Sequence, residues 1–198
     1  MRPDEIGRSY DKIAPEWQRP QLQSNGIAQH ERALQFCQHR QWALDIGCGS
    51  SGRFIELLRQ HGFAVEGLDV SEEMIALARR RHPRVVFHRS DICTWQWPRQ
   101  YDFISAWDSI WHVPLEEQEP VLRKICEGLT RAGVFIFTTG GVDDPGEKRD
   151  SCMGPPVYYS VLGIPKTLTL LTRFGCVCRH LEYDQHPENH LYIIAQKT

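Results

Sequence analysis

Ala43-Leu44-Asp45-Ile46-Gly47-Cys48-Gly49-Ser50-Ser51-Gly52 decides how this chain is read. An acidic residue closes a short apolar run, Trp42–Ile46, which reads as a strand. A glycine turn follows, and then a helical pattern (Phe54, Leu57, Leu58) over residues 52–60. Gly47, Gly49 and Gly52 spell G-x-G-x-x-G, a turn in which backbone can approach a ligand closely. Asp45 sharpens that weak pattern. A dinucleotide would set its phosphates beside this carboxylate, and two anions repel, so the turn calls for a ligand that is cationic there.

Outward from the turn, strands and helices alternate. Residues 64–70 read as a strand, and Ser71 caps a helix through Arg81 with Glu72 and Glu73 in its first turn. Strands follow at 85–88, Tyr101–Ala106 and 133–138, with a helix at 115–129. Residues 140–160, rich in Gly, Pro and Asp, read as a long loop of the kind that is usually functional. A helix at 165–174 and two strands, Cys176–Tyr183 and 190–196, close the chain as an antiparallel pair. Ahead of the sheet lie two helical segments, 4–19 and 26–40. Such alternation implies a mostly parallel sheet with helices on both faces, whose ligands bind outside the carboxyl ends of the strands.

Composition sets outer bounds. A chain of 198 residues with 41% hydrophobic and 24% charged residues suits one globular domain. A net charge of −2 gives no bulk case for nucleic acid. The basic run Arg79-Arg80-Arg81-His82-Pro83-Arg84 reads as a solvated helix end. No apolar run approaches the roughly 20 residues of a membrane span, and the first residues do not form a signal peptide. Seven cysteines without a C-x-x-C pattern suggest reduced thiols in a cytoplasmic protein. Cys176 and Cys178 are expected on one strand face. His186 and His190 share the i, i+4 spacing of metal ligands, but Pro187 breaks any helix between them, so no metal is expected.

Two further acidic residues end successive strands. Asp69, in Gly67-Leu68-Asp69-Val70-Ser71, can accept both hydroxyls of a ribose, and Asp91 stands in Ser90-Asp91-Ile92. The fourth strand opens the segment Tyr101-Asp102-Phe103-Ile104-Ser105-Ala106-Trp107-Asp108-Ser109-Ile110-Trp111-His112-Val113-Pro114.

With these segments the chain resembles the class I S-adenosylmethionine-dependent methyltransferases, whose first motif reads [D/E]-x-G-x-G-x-x-G. The stretch from Tyr101 to Pro114 is similar to the F-D-x-V-x-(x)n-H-(L/V)-P segment of the small-molecule type, and Ser9-Tyr10-Asp11-Lys12-Ile13-Ala14 to the family's Y-D-x-x-A opening. No Asn-Pro-Pro-Tyr or Asp-Pro-Pro-Tyr follows the fourth strand, which speaks against methylation of nucleic-acid bases.

The resemblance implies a Rossmann-like, seven-stranded α/β domain: an N-terminal helical lid over 1–40, a cofactor core over 41–140, and a substrate-side loop with the strand pair over 141–198. It implies S-adenosylmethionine as cofactor and a small-molecule acceptor, with no nucleic-acid or membrane partner; the oligomeric state stays open. The cofactor wall is expected from Tyr10, Trp17, Asp45, Gly47, Cys48, Gly49, Asp69, Val70, Met74, Asp91, Ile92 and Trp107. The acceptor side is expected from Trp111, His112, Tyr158 and Tyr159. His112 is a candidate base with an ordinary pKa near 6.5, or a packing residue, and Trp111 lines the site or packs under the next helix. Of Trp95 and Trp97, one is expected over the adenine edge and the other in packing. Two alternatives stay open: an NAD-dependent oxidoreductase, and a protein that binds S-adenosylmethionine without turnover.

Overall fold

The computed structural model describes residues 1–18, 24–151 and 154–198. Two helices, α1 (Pro3–Ile13) and α2 (Ile27–Leu34), precede the sheet. Then come β1 (Trp42–Ile46), α3 (Arg53–Gln60), β2 (Ala64–Asp69), α4 (Glu72–Arg81), β3 (Val86–Arg89), β4 (Tyr101–Ala106), α5 (Leu115–Gly128) and β5 (Leu129–Gly140). The chain ends with β6 (Gly146–Asp150), β7 (Val157–Val161), α6 (Ile164–Arg173), β8 (Cys176–Tyr183) and β9 (His190–Lys197). Seven strands form one sheet in the order β3-β2-β1-β4-β5-β9-β8. β1 to β5 pair in parallel, and β9 runs antiparallel to both β5 and β8.

The sheet is buried on both faces, as parallel strands require. All six residues of β4, the central strand, are buried. Side chains alternate between two apolar clusters: Leu44, Ile104, Phe135 and Phe137 join one, and Ala43, Phe103, Val134 and Ile136 the other. Ser71 caps α4 by accepting the Met74 N–H at 3.1 Å, and Arg79, Arg80 and Arg81 occupy its last turn, where cations suit the dipole.

Two expectations change. The helical segments expected at 4–19 and 26–40 are shorter. Pro15 cannot continue α1, so the chain tightens into a 3-10 turn over Ala14–Gln18, and α2 stops at Leu34. Residues 140–160 are not one long loop: β6 and β7 pair there as a separate two-stranded sheet, with Lys148 opposite Tyr159 and Arg149 opposite Tyr158. Cys176 and Cys178 pair with β9 in unbroken register, Cys176 buried and Cys178 exposed; Cys152 lies outside the described residues.

Helix α1 docks over the carboxyl ends of the strands through Ser9 and Asp11, which point to different sides of the helix. Ser9 donates to the Pro156 carbonyl at 2.8 Å, beside β7. Asp11 accepts from the Ser71 hydroxyl at 2.6 Å and from the Glu73 N–H at 3.1 Å, at the start of α4. Ile6 is buried against Val157 and Tyr158. Among the described residues no helix is long and apolar enough to cross a membrane.

Candidate active site

The turn after β1 is built by its neighbours. Gly47 and Cys48 both donate to the Leu68 carbonyl of β2, at 2.7 and 3.1 Å. Gly47 has φ +69°, and a Cβ there would lie 2.2 Å from Cβ of Ser109, so the position demands glycine. Asp69 then locks the turn: one carboxylate oxygen accepts the Gly49 N–H and the other the Ser71 N–H, each at 2.9 Å. Burial raises the Asp69 pKa, against the pull of those backbone donors. Asp91 fixes the turn after β3 in the same way, accepting the Cys93 N–H at 2.9 Å.

These turns enclose a cavity roofed by α1. Of the expected cofactor residues, Tyr10, Trp17, Gly47, Cys48, Gly49, Asp69, Val70, Met74, Asp91, Ile92 and Trp107 all stand in its wall. Asp45 does not. It projects with Ala43 to the opposite sheet face from Leu44 and Ile46, and it is 2% exposed beneath the turn. Burial pushes its carboxyl up to about 7, against the pull of Arg53 and the Ser105 hydroxyl. Trp107 is mostly packing, with its ring among His30, Phe54, His190 and Tyr192. Neither Trp95 nor Trp97 reaches the cavity. They pack on each other and on His88 and Tyr101.

A second cleft lies against β6 and β7. It is lined by Trp111, His112 and Tyr159, but not by Tyr158. Adjacent strand residues point to opposite faces, so β7 can offer only one tyrosine to the cleft. Tyr158 turns the other way, where its hydroxyl donates to Glu147 at 2.7 Å and accepts the Leu115 N–H at 3.1 Å.

His112 lines both compartments and is 7% exposed. Its Nδ1 faces the Tyr158 carbonyl at 2.7 Å, which can only accept, so Nδ1 carries the proton. Its Nε2 accepts from Trp111 Nε1 at 3.0 Å and from the Tyr10 hydroxyl at 2.8 Å. Burial pulls its pKa down to about 4, despite the Tyr158 carbonyl and Asp108. The ordinary value expected from sequence is thus corrected, and the ring is neutral at pH 7.

Several site residues escaped sequence reasoning. Arg53, directly after the glycine turn, lines the cavity and donates to the Asn25 carbonyl at 2.8 Å. Asp108 stands in both walls with φ +52°, a left-handed conformation uncommon outside glycine. Its N–H donates to the Thr138 hydroxyl at 2.7 Å. One carboxylate oxygen receives His190 Nε2 at 2.9 Å, and the other Asn25 Nδ2 at 3.3 Å. His190 is held from behind by Asp184 at 2.5 Å. Burial lowers the His190 pKa, but the two carboxylates outweigh it and raise it overall. Among the described residues no group of three potential ligands could hold a metal ion.

Comparison with known proteins fits this arrangement. Residues 43–133 match the family described as methyltransferase domain. Phosphoethanolamine N-methyltransferase of Plasmodium falciparum is 27% identical over 99 residues, covering 48% of this chain and 37% of the relative. Trans-aconitate 2-methyltransferase of Rhizobium etli is 29% identical over 99 residues, covering 50% and 38%. The matched stretches therefore span little more than a third of these relatives. In fold, an amino pentose methyltransferase from Micromonospora echinaspora, solved with S-adenosylmethionine bound, superposes with a TM-score of 0.73 at 17% identity, covering 94% of this chain and 96% of that one. The PH0226 protein of Pyrococcus horikoshii reaches 0.75 at 20% identity, covering 96% and 98%.

Proposed function

We propose that this chain, which carries a class I S-adenosylmethionine-dependent methyltransferase domain, transfers a methyl group in line to a small-molecule acceptor. One observation carries the reading. Two adjoining pockets share Tyr10, Trp17, Asp108 and His112, which form the neck between them. A donor bound on one side and an acceptor on the other would face each other there.

The cavity fits the cofactor by its own unmet bonds. The Ser50 hydroxyl and the Trp107 indole N–H are buried in or beside its wall without a hydrogen-bond partner among the described residues. Such groups cost free energy unless a ligand or water satisfies them. Gly49 faces open space. Asp69 would hold the ribose hydroxyls, Asp91 and Ile92 the adenine, and the turn at 47–49 with Ser50 and Arg53 the amino-acid end. When bound, S-adenosylmethionine supplies a methyl group on a sulfonium, a donor already activated for transfer.

The protein's task is then to position and to exclude water. Positioning can supply about 7–11 kcal/mol of a barrier in favourable cases. Tyr10 donates to His112 and closes the neck from the α1 side, and its ring packs 6.1 Å from that of Trp17. His112 is neutral and its one Nε2 lone pair is shared by the Trp111 N–H and the Tyr10 hydroxyl, so it orients both rings and would take a proton through Tyr10 only in competition with Trp111. The relatives' names support a small acceptor, though they divide between an amine and a tricarboxylate.

Titration calorimetry tests the donor: S-adenosylmethionine and S-adenosylhomocysteine should bind in the micromolar range and NAD should not. Incubation with candidate acceptors should release S-adenosylhomocysteine. NAD binding without S-adenosylmethionine binding would refute the assignment. Cofactor binding without turnover on any acceptor would leave a non-catalytic binding protein.

A further inference from the structure

Of the four residues at the neck, three are neutral. Tyr10 and Trp17 carry no charge at pH 7, and buried His112 holds none. Asp108 is the single charge there among the described residues. It is also fixed: a left-handed backbone, the Thr138 hydroxyl, Asn25 and His190 leave its carboxylate one position. Nothing in the cofactor turn needs it. The backbone donors of that turn go elsewhere, Gly47 and Cys48 to the Leu68 carbonyl and Gly49 to Asp69.

The cleft beyond continues the same sign. Glu188 lines it with Asp108, against His190, while Lys148 and Asp150 pair with each other at 3.7 Å and Glu147 borders it with a carboxylate held by the Tyr158 hydroxyl. His190 gives both nitrogens to carboxylates, so the cluster of Asp108, His190 and Asp184 stays net negative. The remaining wall is aromatic. Tyr10, Trp17, Trp111 and Tyr159 offer π-faces that attract cations. An anionic acceptor would approach a like charge at the reacting position, only partly offset by Arg53 in the cofactor wall, whereas a cationic one would be drawn in.

We propose that the acceptor is a small amine, received in its ammonium form by Asp108 at the neck, with His190 as the positioning residue that holds this carboxylate in place. The ammonium would first lose one proton to cleft water, and its freed lone pair would then bond the methyl carbon as the carbon–sulfur bond breaks, leaving a neutral thioether. The proposal rests on the methyl-transfer reading and narrows it to nitrogen acceptors.

Three probes on one ring test it: benzylamine (cationic at pH 7), benzyl alcohol (neutral) and benzoate (anionic). Their binding is measured by calorimetry and saturation-transfer NMR on protein loaded with S-adenosylhomocysteine. Benzylamine is expected to bind at least tenfold tighter than the other two, with an advantage that narrows as salt is added. Asp108→Asn should cut the benzylamine to benzyl alcohol ratio at least tenfold, a ratio in which any loss of active protein cancels. His190→Leu should lower the same ratio, and His190→Gln, which keeps one donor for Asp108, should restore part of it. With S-adenosylmethionine, product should form from benzylamine and not from benzoate. Should Asp108→Asn fail to fold, the three-probe comparison and its salt dependence in the unaltered protein decide. Equal binding of the probes, no measurable amine binding at millimolar concentration, or an unchanged ratio in Asp108→Asn overturns the proposal. Cofactor binding with turnover of acids or alcohols alone leaves methyl transfer standing and removes the amine; failure to bind cofactor at all removes both.

Discussion

Replacing Asp69 by alanine separates two duties that one carboxylate performs. Its oxygens hold the Gly49 and Ser71 N–H groups at 2.9 Å each, independently of any ligand. Hydrogen bonds to a charged acceptor contribute roughly 1.5–3 kcal/mol each, so Asp69→Ala exposes about 3–6 kcal/mol of fold stability. Water entering from the cavity can satisfy Gly49, which favours the lower end, about 3 kcal/mol. For a domain of this size that is a fall in Tm of roughly 6–12 °C. Asp69→Asn should cost nearly as much. The amide has one acceptor, so one backbone donor would face an NH2 group. Thermal and urea unfolding, with and without S-adenosylhomocysteine, give both quantities. The cofactor should also lose affinity in protein shown to be folded. A fall in Tm below about 2 °C together with loss of cofactor binding would refute this reasoning, because the carboxylate would then serve the ligand alone.

Other outcomes follow from the same geometry. Gly47→Ala should cost about 1–2 kcal/mol of left-handed strain plus about 1–3 kcal/mol of overlap with Ser109, whereas Gly49→Ala, facing open space, should cost the strain alone; equal urea midpoints would remove the steric part. Tyr10→Phe should lose about 0.5–1.5 kcal/mol and speed hydrogen exchange across α1, with unchanged exchange counting against closure by the Tyr10–His112 bond. In an NMR titration His112 should protonate near pH 4 and His190 above 6.5, the reverse order being incompatible with their partners. Because the unfolded chain binds the His112 proton first, the stability advantage of the native protein over His112→Gln should shrink by up to about 3 kcal/mol between pH 7 and pH 4. For His190 the sign is opposite: its contribution is complete below about pH 6.5 and is lost as pH rises through its raised folded value.

The cofactor half of the site was legible because its residues follow strands in sequence order. Asp69 ends one short apolar run and Gly47 and Gly49 follow another, so local pattern marked these positions, whereas Asp91, two residues beyond β3, took its expected role from the family resemblance. Asp45 shows the limit of that logic. Strand alternation, not proximity to the turn, decides which face a side chain meets, and Asp45 falls under Arg53. β6 was hidden because Gly146-Glu147-Lys148-Arg149-Asp150 has no apolar face and is largely exposed. With that strand unseen, nothing separated Tyr158 from Tyr159. The contact between Asp108 and His190 joins residues 82 apart, through a left-handed aspartate that no composition signals.

Helix α1 has a kinetic consequence. One helix of 11 residues is pinned to α4 through Asp11 and to the β7 side through Ser9, and its Tyr10 completes the neck. It therefore cannot roof one compartment and leave the other open. If the chain transfers methyl groups as proposed, the donor is expected to bind before the acceptor and the spent donor to leave last. Product-inhibition kinetics would then show the spent donor competing with fresh donor but not with acceptor.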